Sequence, residues 1–212
     1  MATPIRILHS DEHLVVVDKP ANLLVVPAPG RDSTANLVDR LAEQLQRRVL
    51  AVHRLDEDTT GAIVLALDQP GREGMEALFR RHAVERAYLA LVAGHPSPAA
   101  GTIRSQLRME GEMARVVSRG GLAAITHYEV LARRGRCTLL KCRLETGRRN
   151  QIRVHMQAIG CPLAGDRKYG FRSRGEDFVR PMLHSWQLAF RHPVLGQAIR
   201  VEVMPSEPEL IP

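Results

Sequence analysis

Cysteine is scarce in this chain: three in 212 residues (Cys137, Cys142 and Cys161), an odd number with no CxxC pair. That excludes a disulfide framework and a structural zinc site and fits a reducing compartment. Lysine is equally scarce, with Lys19, Lys141 and Lys168 against 27 arginines. Long apolar runs are missing as well. Runs such as Ala62 to Leu67 are far too short to cross a bilayer. The opening stretch from Met1 to His13 contains Arg6, Asp11 and Glu12 and has no long apolar core, so it does not read as a signal peptide. No internal repeat or low-complexity segment is visible, and no histidine pattern is assigned to a metal. A cytoplasmic protein without metal or membrane span is the resulting expectation.

What is present is ordinary in bulk and unusual in sign. Hydrophobic residues make up 44% and charged residues 25%, as in a soluble globular domain. The length suits one domain able to bury a sizeable core. The formal net charge is +7 and the pI about 10. Such a balance favours a polyanionic partner, nucleic acid or an anionic membrane. Guanidinium groups bind phosphate bidentately and stack on bases, although a GC-rich genome would also write Arg for Lys.

Along the chain, Ile5 to Leu8 and Leu14 to Val17 read as strands joined by Ser10-Asp11-Glu12, with Asp18-Lys19-Pro20 as a stop. After a Pro- and Gly-rich loop from Pro27 to Gly30, Leu37, Leu41 and Leu45 predict a helix capped by Ser33 or Thr34. Val49 to Val52 is a candidate short strand, and Ala62 to Leu67 a buried one. Asp68 can cap a helix reaching about His82, with Pro70 in its first turn. Strands follow at Tyr88 to Val92, Thr102 to Leu107, Ala124 to Leu131 and Cys137 to Leu144, with Pro96 to Gly101 as a surface loop. Asn150 to Ile159 is helical, with Gly160 as its C′ glycine. On it Ile152, Met156 and Ile159 face inward, and Arg153 and Gln157 share another face. Two late strands run from Trp186 to Phe190 and from Ile199 to Val203. The pattern predicts an α+β fold on a largely antiparallel sheet.

The densest polar cluster is His53-Arg54-Leu55-Asp56-Glu57-Asp58-Thr59-Thr60-Gly61. Three carboxylates here stand out in a basic chain. A carboxylate facing a polyanion is repelled unless it has chemistry to perform or an arginine neutralises it. Arg54 and Asp56 share one face of an extended chain. Asp58-Thr59-Thr60 also reads as an Asx-type turn ending at Gly61, the ordinary role of such a cluster. Local chemistry does not choose among Asp56, Glu57 and Asp58.

The run from His53 to Gly61 resembles the HRLDxxTSG motif of RluA-type pseudouridine synthases. Other segments resemble that family's motifs, in its order. They are Asp18-Lys19-Pro20 with Leu23-Leu24-Val25, Arg86 to Val92, and Leu144 to His155. Gly160-Cys161-Pro162, Gly165-Asp166, Tyr169-Gly170, Leu183-His184 and Phe190 to Pro193 complete the set. The resemblance implies one catalytic domain over residues 1–212, a mixed sheet flanked by helices and loops, and an active-site cleft across that sheet. It implies isomerisation of uridine in RNA without a cofactor, with Asp56 as nucleophile, Tyr88 stacking on the flipped base and Arg153 as counter-ion of the nucleophile. A carboxylate suits the work, attacking the sugar or acting as base in a glycal-type elimination. Arg54 matches the residue that fills the space left by the extruded base. Lys19 is expected to shape the pocket or touch phosphate. Arg148 and Arg149 are expected at a phosphate site before a helix N-terminus. Lys168 and Arg172, with Arg167, Arg174 and Arg180, are expected in an RNA-contact loop. The partner is then an rRNA or tRNA stem-loop, with a monomeric enzyme as the default. No S4-like module is expected, so the domain is expected to recognise RNA alone. Thr60, Arg86 and Arg149-Asn150 depart from the family's usual residues. A non-catalytic RNA-binding or ribosome-assembly module, or a glycoside or nucleoside hydrolase with paired carboxylates, are the alternatives.

Overall fold

The computed structural model describes residues 3–27, 36–173, 175 and 178–212. It divides into two compact units, residues 1–86 with 185–204, and residues 87–184 with 205–212.

The first unit holds β1 (Arg6–Ser10), β2 (Leu14–Lys19), α1 (Leu37–Leu45), β3 (Leu50–Ala51), β4 (Thr60–Ala66), α2 (Gln69–Arg80), most of β10 (Leu183–Arg191) and β11 (Ala198–Glu202). β2 pairs antiparallel with β1 and with β4, β3 pairs with β4, β10 lies beside β4, and β11 pairs with β10. Leu14, Val16, Ala62, Val64 and Ala66 share one sheet face and pack with Met75, Leu78 and Phe79 of α2 and with Leu188, Phe190 and Ile199. Val15, Val17, Ile63 and Leu65 on the other face are also fully buried. Two covered faces explain why these strands read as unbroken apolar runs. Each buried Val, Leu, Ile, Phe or Met side chain here contributes about 1.5–3 kcal/mol on burial.

Two expectations shift here. β2 runs through Lys19, so Pro20 alone is the stop. The cap of α1 is Asn36, whose side chain accepts from Asp39 N–H at 3.1 Å. Ser33 and Thr34, and most of the loop expected from Pro27 to Gly30, lie outside the described residues. Asp68 caps α2 as expected, accepting from Gly71 N–H at 2.8 Å, and Pro70 sits in the first turn.

The second unit holds most of β5 (Glu85–Ala93), β6 (Ala100–Glu110), β7 (Met113–Val117), β8 (Leu122–Arg134), β9 (Cys137–Leu144) and α3 (Gln151–Ala158). Its strands form an antiparallel sheet in the order β5-β9-β8-β6-β7. β7 escapes the sequence reading because Met113–Val117 is short, and four of its five side chains are not buried. β6 and β8 are longer than read, since their ends are exposed and lack the apolar alternation that marks a half-buried strand. Val154 of α3 packs with Leu107, Ala124 and Tyr169. Gln151 to Met156 are all buried, so the first six residues of α3 have no solvent face, contrary to the two-faced helix expected. Gly160 follows with φ +77°, the C′ position foreseen. No helix among the described residues is long and apolar enough to cross a membrane.

Candidate active site

The polar cluster sits where β3 hands the chain to β4. His53 Nε2 accepts from Val64 N–H at 3.2 Å, and its ring packs 4.6 Å from that of Phe79. Burial, aided by nearby Arg86, pushes its pKa down to about 3, so His53 is neutral and structural. Leu55 is buried and anchors the loop. A turn then closes from Asp56 C=O to Thr59 N–H at 3.1 Å. The turn therefore begins at Asp56, two residues before the Asx turn expected at Asp58. Gly61 ends the segment at φ +104°, where an added Cβ would lie 2.3 Å from the Ser185 carbonyl oxygen. Only glycine meets both conditions. Arg54 is exposed, whereas Asp56, Glu57 and Asp58 are all half-buried, so burial does not separate the three carboxylates.

Lys19 governs this loop. It is fully buried, and its ammonium donates to the carbonyls of Pro20 at 2.8 Å, Leu23 at 2.8 Å and Glu57 at 2.7 Å. Leu23 N–H adds a bond to the same Glu57 carbonyl at 3.2 Å. An ammonium has three donors, and these three bonds account for them. Of the two roles expected for Lys19, shaping the pocket fits this geometry. Phosphate contact does not, because a fully buried cation with its donors committed has nothing to offer an RNA.

Tyr88 lies on β5, opposite Cys142 of β9, and is buried. Arg153 is buried on α3, not at the surface. Its guanidinium grips Asp166 fork to fork, Nε to Oδ2 at 2.7 Å and Nη2 to Oδ1 at 2.8 Å. Its Cζ lies 4.9 Å from the centre of the Tyr169 ring. The Tyr169 hydroxyl accepts from Asn150 Nδ2 and from Ala114 N–H, both at 2.9 Å. Asn150 has φ +55°, a conformation asparagine tolerates. This places the unusual Asn150 in a definite role. Gln151 is likewise tied on both ends, accepting from Thr146 Oγ1 and Arg148 N–H and donating to Ile125 C=O and Thr126 Oγ1. His155 lies between Thr126 Oγ1 and Ser105 Oγ at 2.9 Å each, and burial lowers its pKa to about 4. The motif pointed to these residues without revealing the network, because most of their partners are 13 to 55 positions away.

The basic residues divide. Arg148, Arg149, Lys168 and Arg172 are exposed. Arg148 Nε donates to Ala123 C=O at 3.1 Å, and Lys168 lies 3.5 Å from Glu112. Arg180 departs from the loop expected to contact RNA. It is buried, pairs with Glu207, and donates to the carbonyls of Pro181 and Leu183. Arg174 lies outside the described residues.

His9 and His13 are four residues apart, but a turn between strands sends them to different carboxylates. His9 pairs with Asp11 at 2.8 Å and His13 with Asp68 at 2.5 Å. Among the described residues no group of three His, Cys, Asp or Glu side chains is placed to hold a metal.

Comparison with known proteins agrees with the motif order. The family model for RNA pseudouridylate synthase matches residues 13–158, a span that runs through both units. The ribosomal large subunit pseudouridine synthase D of Zymomonas mobilis is 37% identical over 98% of this chain and 72% of its own length. That of Nitrosomonas europaea is 40% identical over 93% of this chain and 61% of its own. This chain therefore spans roughly two thirds of such relatives. Human RNA pseudouridylate synthase domain containing 4 superposes with a TM-score of 0.77 at 28% identity, covering 95% of this chain and 89% of that one. A second human protein, RNA pseudouridylate synthase domain containing 1, gives 0.78 at 25% identity. With the family model covering most of its length and its motifs in family order, this chain belongs to the RluA-type RNA pseudouridine synthases.

Proposed function

We propose that this protein isomerises specific uridines in structured RNA to pseudouridine, with Asp56 as the nucleophile and Tyr88 and Arg153 as the other catalytic residues. The observation that carries the reading is the intact HRLD segment, locked at Glu57 by the buried ammonium of Lys19. A non-catalytic RNA module has no need of a carboxylate held on so fixed a backbone. The reaction breaks the N-glycosidic bond, turns the uracil and rejoins it through carbon. Asp56 serves it as sugar nucleophile or as base for elimination. Extruding the base costs a few kcal/mol of stacking, offset by Tyr88 against the uracil and Arg54 in the vacated space. Arg148, Arg149, Lys168 and Arg172 contribute phosphate contacts.

Ribosomal or transfer RNA stem-loops are the proposed substrates, and a cytoplasmic monomer that needs no cofactor is the proposed working form. Wild-type protein incubated with C5-tritiated uridine in such stem-loops should release tritium and leave pseudouridine in the strand. Free uracil in solution would instead identify a hydrolase. RNA binding without either product across cellular RNAs would identify a binding module.

A further inference from the structure

Resting on the reading of Arg153 above, we infer that Asp166 is the positioning residue for that arginine, with Tyr169 as the platform beneath it. A buried guanidinium without a partner is costly, and removing one member of a buried pair leaves an uncompensated charge. Here both side chains are buried, with 11% and 1% of their surfaces exposed. The fork-to-fork pairing fixes the distance and the plane of the guanidinium together, which a single contact does not. Asp166 occupies the Nε–Nη2 edge.

The carboxylate is itself held. Asp166 Oδ1 accepts from Tyr169 N–H at 3.2 Å, and Asp166 N–H donates to Leu163 C=O at 3.1 Å. The preceding residue must be glycine, since a Cβ on Gly165 would sit 2.0 Å from the Arg180 carbonyl oxygen. Tyr169 is fully buried, and the two bonds to its hydroxyl keep its ring under the guanidinium. Arg153 is thus a guanidinium whose position and plane are both fixed. Its contribution is a directed donor, fixed before RNA arrives.

The test uses the full chain and a stem-loop substrate carrying C5-tritiated uridine. Single-turnover tritium release, RNA affinity and thermal midpoint are measured for Arg153→Ala, Asp166→Asn and Tyr169→Leu. Asp166→Asn keeps the shape and loses the charge. It should slow turnover by about a hundredfold, the effect of a small misplacement of a catalytic group, while RNA affinity stays at the wild-type value. Tyr169→Leu should slow turnover less, again with unchanged affinity. Adding Asp166→Asn to Arg153→Ala should slow the residual reaction no further. If Arg153→Ala is slow while folded Asp166→Asn turns over like wild type, the inference fails and the reading of Arg153 stands. If Arg153→Ala itself turns over like wild type, that reading fails. Equal losses of affinity and turnover in Asp166→Asn would also overturn the inference, since they report a structural role. Should Asp166→Asn fail to fold, Tyr169→Leu decides: wild-type turnover there contradicts the platform and the inference with it.

Discussion

The HRLD loop of the first unit and the α3 region of the second are held in opposite ways. Asp56 sits on a backbone fixed by backbone acceptors, with Lys19 drawing three carbonyls together and Gly61 permitting a turn that other residues would block. Arg153 is held by side chain on side chain, through Asp166 and over Tyr169. A loop that must present a reactive group to solvent has little side-chain packing of its own, so one buried ammonium organises its main chain. A helix already buried all round for six residues fixes its charge through partners it can enclose. Rigidity at a reactive group is reached by either route.

Removing the ammonium should have the largest effect. Lys19→Met keeps the length and leaves three carbonyls without their donor. We expect a loss on the order of 3 kcal/mol or more in denaturant unfolding, since each stranded buried polar group costs about 1–3 kcal/mol. Turnover should fall further than that instability explains. Unchanged turnover would show that the backbone lock is not what fixes Asp56.

The two glycines sharpen the contrast. Gly61→Ala and Gly165→Ala each drive a Cβ into a carbonyl oxygen at positive φ. Each should lower stability by about 2–4 kcal/mol in urea melts. Gly61→Ala distorts the main chain beside Asp56, and Gly165→Ala displaces Asp166. Both should therefore lose turnover per folded molecule, and a purely structural loss in one would assign that region to folding alone.

Acid supplies a smaller, graded comparison. His53 and His155, one in each unit, have folded pKa values of about 3 and about 4, depressed by burial. A depressed value means that the unfolded chain takes up the proton first. The stability these groups confer is complete above pH 6.5 and is lost as pH falls toward those folded values. Each contributes a slope of up to about 1.4 kcal/mol per pH unit. Asp11, lowered to about 2 mainly by bonds from His9, His13 and Leu14 against the opposing effect of burial, adds a further loss from pH 4 downward. His155→Gln should flatten its share of the slope between pH 6.5 and 4, while a slope equal to wild type would contradict the assignment.

The smallest effect belongs to the surface. Lys168→Ala removes an exposed side chain whose acidic neighbour is 3.5 Å away, and stability should change by no more than about 0.5 kcal/mol. RNA affinity should weaken, and the salt dependence of log K should flatten by about one unit. An unchanged salt slope would remove Lys168 from the interface.

Much of the fold was legible because it is written in local periodicity. Leu37, Leu41 and Leu45 mark α1, Asp68 marks the start of α2, and Cys137–Leu144 is a strand to the residue. β7 was not legible, since a mostly exposed hairpin strand shows no alternation for a core to impose. Asp56 was singled out by ordered motifs and not by its surroundings, where Glu57 and Asp58 are equally half-buried. The interior roles of Asn150 and Arg180 were hidden for a different reason. A polar residue reads as surface in sequence, and only the fold reveals the Tyr169 hydroxyl brought to Asn150 and the Glu207 carboxylate brought to Arg180.

The most direct test compares the three neighbouring carboxylates in one assay. Tritium release from C5-labelled uridine in RNA is measured for Asp56→Asn, Glu57→Gln and Asp58→Asn, each checked for folding. Release should vanish with Asp56→Asn alone and persist with the other two. Release persisting in Asp56→Asn, or vanishing only in a neighbour, would contradict the account.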